Sequence, residues 1–254
     1  MNNAPNTDVL IRCTRENRFL TSFNNYFAHI SDFSVDSCHS STATGASIIN
    51  VGGGGIEVVH SSGISISNIL FTNNTARYGG AVLIQDSSSV VIRACSFENN
   101  VAVYWGGAIK VFESGLTIES SHFMGNECDG SLVDEPYFNV NTENIGGGGA
   151  VHANQGSYIT ILYSQFYGNS ARVMAGALCV STMGSATLIE NTFTENRVHG
   201  GETCFNDANC KIRAGAIAVS NTVTDILDSN FTNNYAVTSD ISKVNTTSSV
   251  FICI

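Results

Sequence analysis

Two stretches decide the fold: GGAVLIQDSSSVVIRACSFENN (residues 79–100) and, five residues later, GGAIKVFESGLTIESSHFMGN (residues 106–126). Each opens on Gly-Gly-Ala and closes on Phe-x-x-Asn. The closing motif recurs at Phe71–Asn74, Phe97–Asn100, Phe123–Asn126, Phe166–Asn169, Phe193–Asn196 and Phe231–Asn234, with a degenerate copy at Phe33–Asp36. The opening motif recurs at Gly79-Gly80, Gly106-Gly107 and Gly148-Gly149, each followed by Ala. Softer copies lie at Ala175-Gly176-Ala177, Ala214-Gly215-Ala216 and Gly54-Gly55-Ile56. The two motifs alternate without exception, so the chain is a repeat protein before it is anything else.

The spacing carries the argument further. From the third residue of the Gly motif to the next Phe there are always 15 or 16 steps, whereas Phe-to-Phe steps run from 26 to 43. One segment is fixed in length and one corner accepts insertions, at about Ser37–Val51, Glu127–Ile145 and Arg197–Arg213. The fixed segment reads as two short strands. After the Gly motif, Val82/Ile84, Ile109/Val111, Val151/Ala153, Leu178/Val180 and Ile217/Val219 alternate. Val58, Leu83, Lys110, His152, Cys179 and Ala218 are assigned to the solvated face between them. Seven and five residues before each Phe come Ile64/Ile66, Val90/Ile92, Leu116/Ile118, Ile159/Ile161, Ala186/Leu188 and Thr224/Ile226, again with period two. No helical spacing of apolar residues occurs.

Short strands in a repeat of about 26 residues imply an all-β chain, a right-handed single-stranded parallel β-helix of roughly seven to eight rungs. The expected organisation is a single domain over 1–254, a fragment of a longer chain. It has a degenerate partial rung at 1–32, repeats at 33–236 and the start of a further rung at 237–254. Phe is expected to stack on Phe inside the coil. Asn is expected to form a ladder at a tight turn, and the glycines to supply backbone angles that a Cβ forbids.

Composition bounds the function. The 254 residues carry 11 Lys+Arg against 21 Asp+Glu, a net charge of −10, which argues against a nucleic-acid partner. Charged residues are only 13%, and 24 Gly against 2 Pro suit tight turns. No apolar run approaches the ~20 residues of a membrane helix, and the amino terminus lacks a signal-peptide pattern. Eight cysteines include no Cys-x-x-Cys pair, so a zinc ribbon has no support. Sequons at Asn73, Asn230 and Asn245 are weak signs of secretion.

The alternation of Phe-x-x-Asn with Gly-Gly-Ala-(Ile/Leu/Val), from about Phe33 to Asn234, resembles the repeats of the chlamydial polymorphic outer-membrane proteins. The resemblance implies a surface-displayed, extracellular β-helix with a role in adhesion. Its partners would be a glycan or a cell-surface protein.

Catalytic and ligand-binding candidates are sparse. Glu190 and Asp228 each lie three residues before a repeat Phe, so they occupy one column in successive rungs. Such a pair could serve a carbohydrate-active enzyme, a polysaccharide hydrolase or lyase of pectin-lyase-like fold. The rest of that column is Asn68, Ala94, Ser120 and Tyr163. His152, Lys110 and Cys179 are expected to point outward together as neighbouring surface residues. Asp129, Asp134 and Glu135 share a loop, but no metal site and no cofactor are expected. The insertions, which enter at one corner, are the leading candidates for a binding face. Tyr137 and Phe138 are the candidate contact residues there. Cys204 and Cys210 flank five residues and are candidates for a local disulfide. Three readings follow: a non-enzymatic binding or adhesion module, a carbohydrate-active enzyme using Glu190 and Asp228, and a rigid spacer.

Overall fold

In the structure, a computed structural model, each Gly-Gly motif launches a four-residue strand. These strands are Ile56–Val59, Val82–Gln85, Ile109–Phe112, Val151–Asn154, Leu178–Ser181 and Ile217–Ser220. The residues described are 9–12, 20–23, 25–40, 52–130, 147–182, 184–199, 214–220, 223–236 and 250–253. The launched strands pair in parallel, with Leu20–Phe23 before them and Val250–Cys253 after, as one eight-stranded sheet. A second strand follows in each rung, for example Val90–Arg93, Gly115–Glu119 and Tyr158–Leu162. A third carries the Phe, as in Ser96–Glu98, His122–Met124 and Gln165–Tyr167. In the early rungs these two merge into His29–Asp36 and Ser65–Thr72, and together they build a thirteen-stranded sheet. A six-stranded sheet, including Thr75–Tyr78, Val101–Trp105 and Glu127–Cys128, closes each rung. Among the described residues all pairings are parallel and no helix occurs; register repeats from rung to rung except for one shift between Ala102 and Trp105, where Val101–Trp105 pairs with Thr75–Tyr78.

Identical residues meet because the register repeats. Phe71, Phe97, Phe123, Phe166, Phe193 and Phe231 stack with centroids 4.6–5.0 Å apart and planes within 8° of parallel. The spacing is that of adjacent strands. Asn74, Asn100, Asn126, Asn169, Asn196 and Asn234 form a buried ladder beside the rings. Asn126 is typical. Its Nδ2 donates to Phe97 O and to Asn169 Oδ1, both at 2.9 Å. Its Oδ1 accepts from the backbone N and the Nδ2 of Asn100, at 3.0 and 2.9 Å. Every hydrogen-bonding site of the amide is used, which is what makes a buried polar column tolerable.

Both glycines of the motif are needed for space, and the first for its backbone angle as well. Gly79, Gly106 and Gly148 have φ of 59°, 67° and 68°, which only glycine adopts freely. Gly107 has no such angle, but a Cβ there would lie 2.0 Å from Gly149 O of the next rung. A Cβ on Gly106 would likewise lie 2.1 Å from Ile109 O, so the first glycine answers to angle and space together and the second to space alone. The softer copies Ala175-Gly176 and Ala214-Gly215 obey this rule, since both keep the second glycine.

The structure corrects the repeat register at the amino-terminal end. Val35, not Phe33, stands under Phe71, while Phe33 pairs with Ile69. Cys38 takes the place of the ladder Asn, donating its backbone N–H to Asn74 Oδ1 at 2.9 Å. The Gly motif of this rung is also displaced by one residue. Gly53 has the positive φ, and Ile56 pairs with Val82. Glu57 consequently takes the middle position assigned to Val58, which lies in the core. The slip of period before each Phe has a single cause. Asn68, Ala94, Ser120, Tyr163, Glu190 and Asp228 all sit in the left-handed region, with φ of 48–54°. One such residue turns the chain so that the next one, Ile69, Cys95, Ser121, Ser164 or Asn191, points inward and is buried.

Candidate ligand site on the loop-bearing side

The middle residues of the eight-stranded sheet point away from the coil interior, where a solvated face was expected. Instead Glu57, Leu83, Lys110, His152, Cys179 and Ala218 are all buried, none more than 5% exposed. The cover comes from the residue just before each Gly motif. Gly52, Tyr78, Trp105 and Gly147 form a column of bridges, and Met174 follows. A Cβ on Gly52 would collide with Leu83, and Cys179 Sγ lies 3.6 Å from Met174 Sδ. These residues lean over the sheet because the core is already filled by Phe and aliphatic side chains. The outward placement of His152, Lys110 and Cys179 is thus corrected. They leave the barrel side of the strand, but into a second, covered layer.

Within this layer Lys110 is the centre. Its Nζ donates to Val111 O at 3.2 Å and to Asn154 Oδ1 at 2.5 Å, and it meets His152 Nδ1 at 2.8 Å. The Trp105 ring lies 4.5 Å from the His152 ring, tilted by 40°. Among the described residues no carboxylate pairs with Lys110. Burial drives its ammonium down to about 7, with opposing contributions from Cys179 and Cys128. Burial, with Lys110 beside it, holds His152 well below the usual imidazole value. Burial pushes the Cys179 thiol up to about 12 and Cys128 well above its ordinary value. A cavity of about 370 Å³ opens over Lys110, lined by Tyr78, Leu83, Gln85, Trp105, Phe112 and Asn154. That volume lies within the range of small-molecule pockets.

The cavity adjoins the corner that accepts insertions. The chain leaves the six-stranded sheet near His39, Cys128 and Val198, whose neighbours pair along that sheet. It returns at Gly52, Gly147 and Ala214, which bridge to Tyr78, Trp105 and Ala175. All three insertions therefore enter at one corner. Tyr78 and Trp105 belong to the two rungs lying between the first and second insertions.

The other sequence candidates fall elsewhere. Glu190 and Asp228 are exposed and stack on the left-handed bend, with Glu190 N donating to Leu227 O at 3.0 Å. Neither lines the Lys110 cavity. Tyr137 and Phe138 lie outside the described residues, as do Cys204, Cys210, Asp134 and Glu135. Among the described residues no cluster of three or more His, Cys, Asp or Glu could hold a metal ion. Cys38 is disulfide-bonded, and Cys95, Cys128 and Cys179 are free and buried. Sequence reasoning missed the cavity because it took period two to mean solvent on one face. The available signal was the large aromatic residue directly before Gly79 and Gly106, where a turn into water needs none.

Stacked parallel rungs with one covered outer column define a β-solenoid with a ligand-sized pocket on its insertion side. The chain belongs to the right-handed β-helix family, whose model, described as "Right handed beta helix region", matches residues 9–193. No curated protein and no solved structure matches the chain. Among the described residues no helix is long and apolar enough to cross a membrane.

Proposed function

We propose that the chain is a non-enzymatic, extracellular or surface-displayed binding module that engages a glycan or a cell-surface protein through its loop-bearing side. The observation that carries this reading is the convergence of three insertions on one corner, next to the Lys110 cavity. The disulfide at Cys38 supports an oxidising compartment. The resemblance to the chlamydial polymorphic outer-membrane repeats supports adhesion as the role. The test is a glycan and cell-binding screen of the intact chain against a variant in which residues 131–146 are replaced by a short Gly/Ser turn. Loss of binding with an unchanged melting temperature supports the reading. Full retention of binding removes the loop side from it.

A further inference from the structure

We propose that the cavity over Lys110 is a site for a small carboxylate ligand with an aromatic or otherwise apolar body. The carboxylate would sit on the Lys110 amine and the body between Tyr78, Trp105 and Phe112. This inference rests on the reading of this side as a binding face and names the chemistry of one ligand class.

The geometry leaves two ways to relieve the buried charge: loss of the proton, or an incoming counter-charge while the amine is protonated. Lys110 is nearly fully buried and bonded only to neutral acceptors. A buried cation without a counter-charge is costly, and an opposite charge within hydrogen-bond reach is what favours its charged form. No described carboxylate supplies that charge. The cavity brings solvent space to the amine, and Asn154 is its half-buried partner there. Rotation of the Asn154 amide replaces its oxygen by its NH₂ group, so that lysine and amide together donate to an incoming carboxylate. Of the other described walls, Leu83, Phe112 and the rings of Tyr78 and Trp105 are apolar, and Gln85 adds one polar side chain.

Four of the other titratable groups near Lys110 stay neutral near pH 7. His152 is held well below its usual value, and the Cys128, Cys179 and Tyr78 protons are all held more tightly than usual by burial. Glu57 stands two rungs along the column, beyond Leu83. Ligand affinity should therefore follow the protonation of Lys110, which titrates at about 7.

The test uses the chain's single tryptophan, Trp105, as a reporter inside the cavity. Benzoate and its neutral isostere benzamide are titrated while Trp105 emission is followed, with calorimetry in parallel. The expected result is saturable binding of benzoate at pH 6.0 and affinity about 30-fold weaker at pH 8.5, as the protonated fraction of Lys110 falls. Benzamide should not bind over the same range, and Lys110→Met should abolish benzoate binding. Equal binding of benzoate and benzamide overturns the proposal. So does benzoate affinity that changes less than about 3-fold between the two pH values, retention of binding by Lys110→Met, or no response of Trp105. If Lys110→Met failed to fold, the pH and isostere comparisons on the unaltered chain would still decide. Failure here with cell binding still dependent on residues 131–146 rejects this site alone. Benzoate binding without loop-dependent cell binding rejects the adhesive reading alone.

Discussion

The inside of the coil and the covered layer outside the eight-stranded sheet are built from the same rungs, yet they obey opposite rules. Inside, one residue type recurs. Six phenylalanines stack and six asparagines form one ladder. Outside, successive rungs present Glu57, Leu83, Lys110, His152, Cys179 and Ala218 in one column, no two alike. Both columns are buried. Repetition suits a column whose members bond to their own kind and to the repeated backbone beside them. Variety suits a column whose members must fit particular covering residues, and it is there that a buried amine without a counter-charge is found. The difference separates what the rungs need in order to stack from what a rung can spare for chemistry.

The sharpest way to break this comparison is at the ladder. Asn126→Leu keeps the branching, with bulkier methyl groups, but orphans the Asn100 backbone N–H, one Asn100 amide hydrogen and a bond to Phe97 O. At about 1–3 kcal/mol for each unsatisfied buried group, the loss should be roughly 3–6 kcal/mol, read from chemical denaturation. Because rungs contact only their neighbours, hydrogen exchange should show the loss centred on Phe97–Asn169. A loss under about 1 kcal/mol would mean the ladder is not what holds the rungs.

The two glycines of one motif offer a paired test of intermediate size. Gly107→Ala drives a Cβ against the Gly149 carbonyl, and the backbone on both rungs must separate. It should cost about 3 kcal/mol or more. Gly106→Ala meets a positive φ of 67° and also sets a Cβ 2.1 Å from Ile109 O, so it should cost as much or more. A smaller loss for Gly106→Ala than for Gly107→Ala in thermal melts would reject the assignment of both angle and space to the first glycine.

In the covered layer the expected effect depends on pH. Lys110 titrates at about 7 in the folded chain and near its ordinary 10.5 when unfolded. Between these values the unfolded chain binds the extra proton, so stability rises with pH across that window, and below it the burial penalty is fully present. The buried thiols act in the other direction, but only above the ordinary thiol value of 9.0. From pH 7.0 to 8.5 the folded state should therefore gain about 2 kcal/mol at most. Lys110→Met should remove this slope and raise stability most at pH 7 and below. An unchanged slope in the variant would mean that Lys110 stays charged, and that the layer is wetter than its geometry implies.

How far the sequence could be read follows the same division. The stacking columns were legible because each rung repeats the same letters at a fixed spacing, and a single strand distance turns spacing into contact. At the first rung, Val35 and Cys38 stand in for Phe and Asn, and the apparent match at Phe33 shifted the register by two residues. The covered layer was not legible from alternation, because period two says which way Lys110 and His152 point and not what lies over them. Trp105 and Tyr78 reach them from the preceding turn, a contact that depends on the angle of the Gly-Gly corner. Tyr137 and Phe138, proposed from the insertions, lie outside the described residues.

The column of left-handed bends supplies the smallest effect and separates geometry from function. Glu190 and Asp228 stand there in the company of an asparagine, an alanine, a serine and a tyrosine, all at the same backbone angle. That mixture is set by what the bend tolerates, since the side chains point into water. Glu190→Gln and Asp228→Asn should each change stability by less than about 0.5 kcal/mol and leave ligand and cell binding as they were. Glu190→Gly should do more than either. It relieves a φ of 52° that costs a side chain about 1 kcal/mol, offset in part by the freedom glycine gains when unfolded. A net gain of a few tenths of a kcal/mol in Glu190→Gly, with no gain in Glu190→Gln, would assign this residue to the bend. Release of sugar products from a polysaccharide, lost in both the Gln and Asn variants, would instead make the pair a catalytic site.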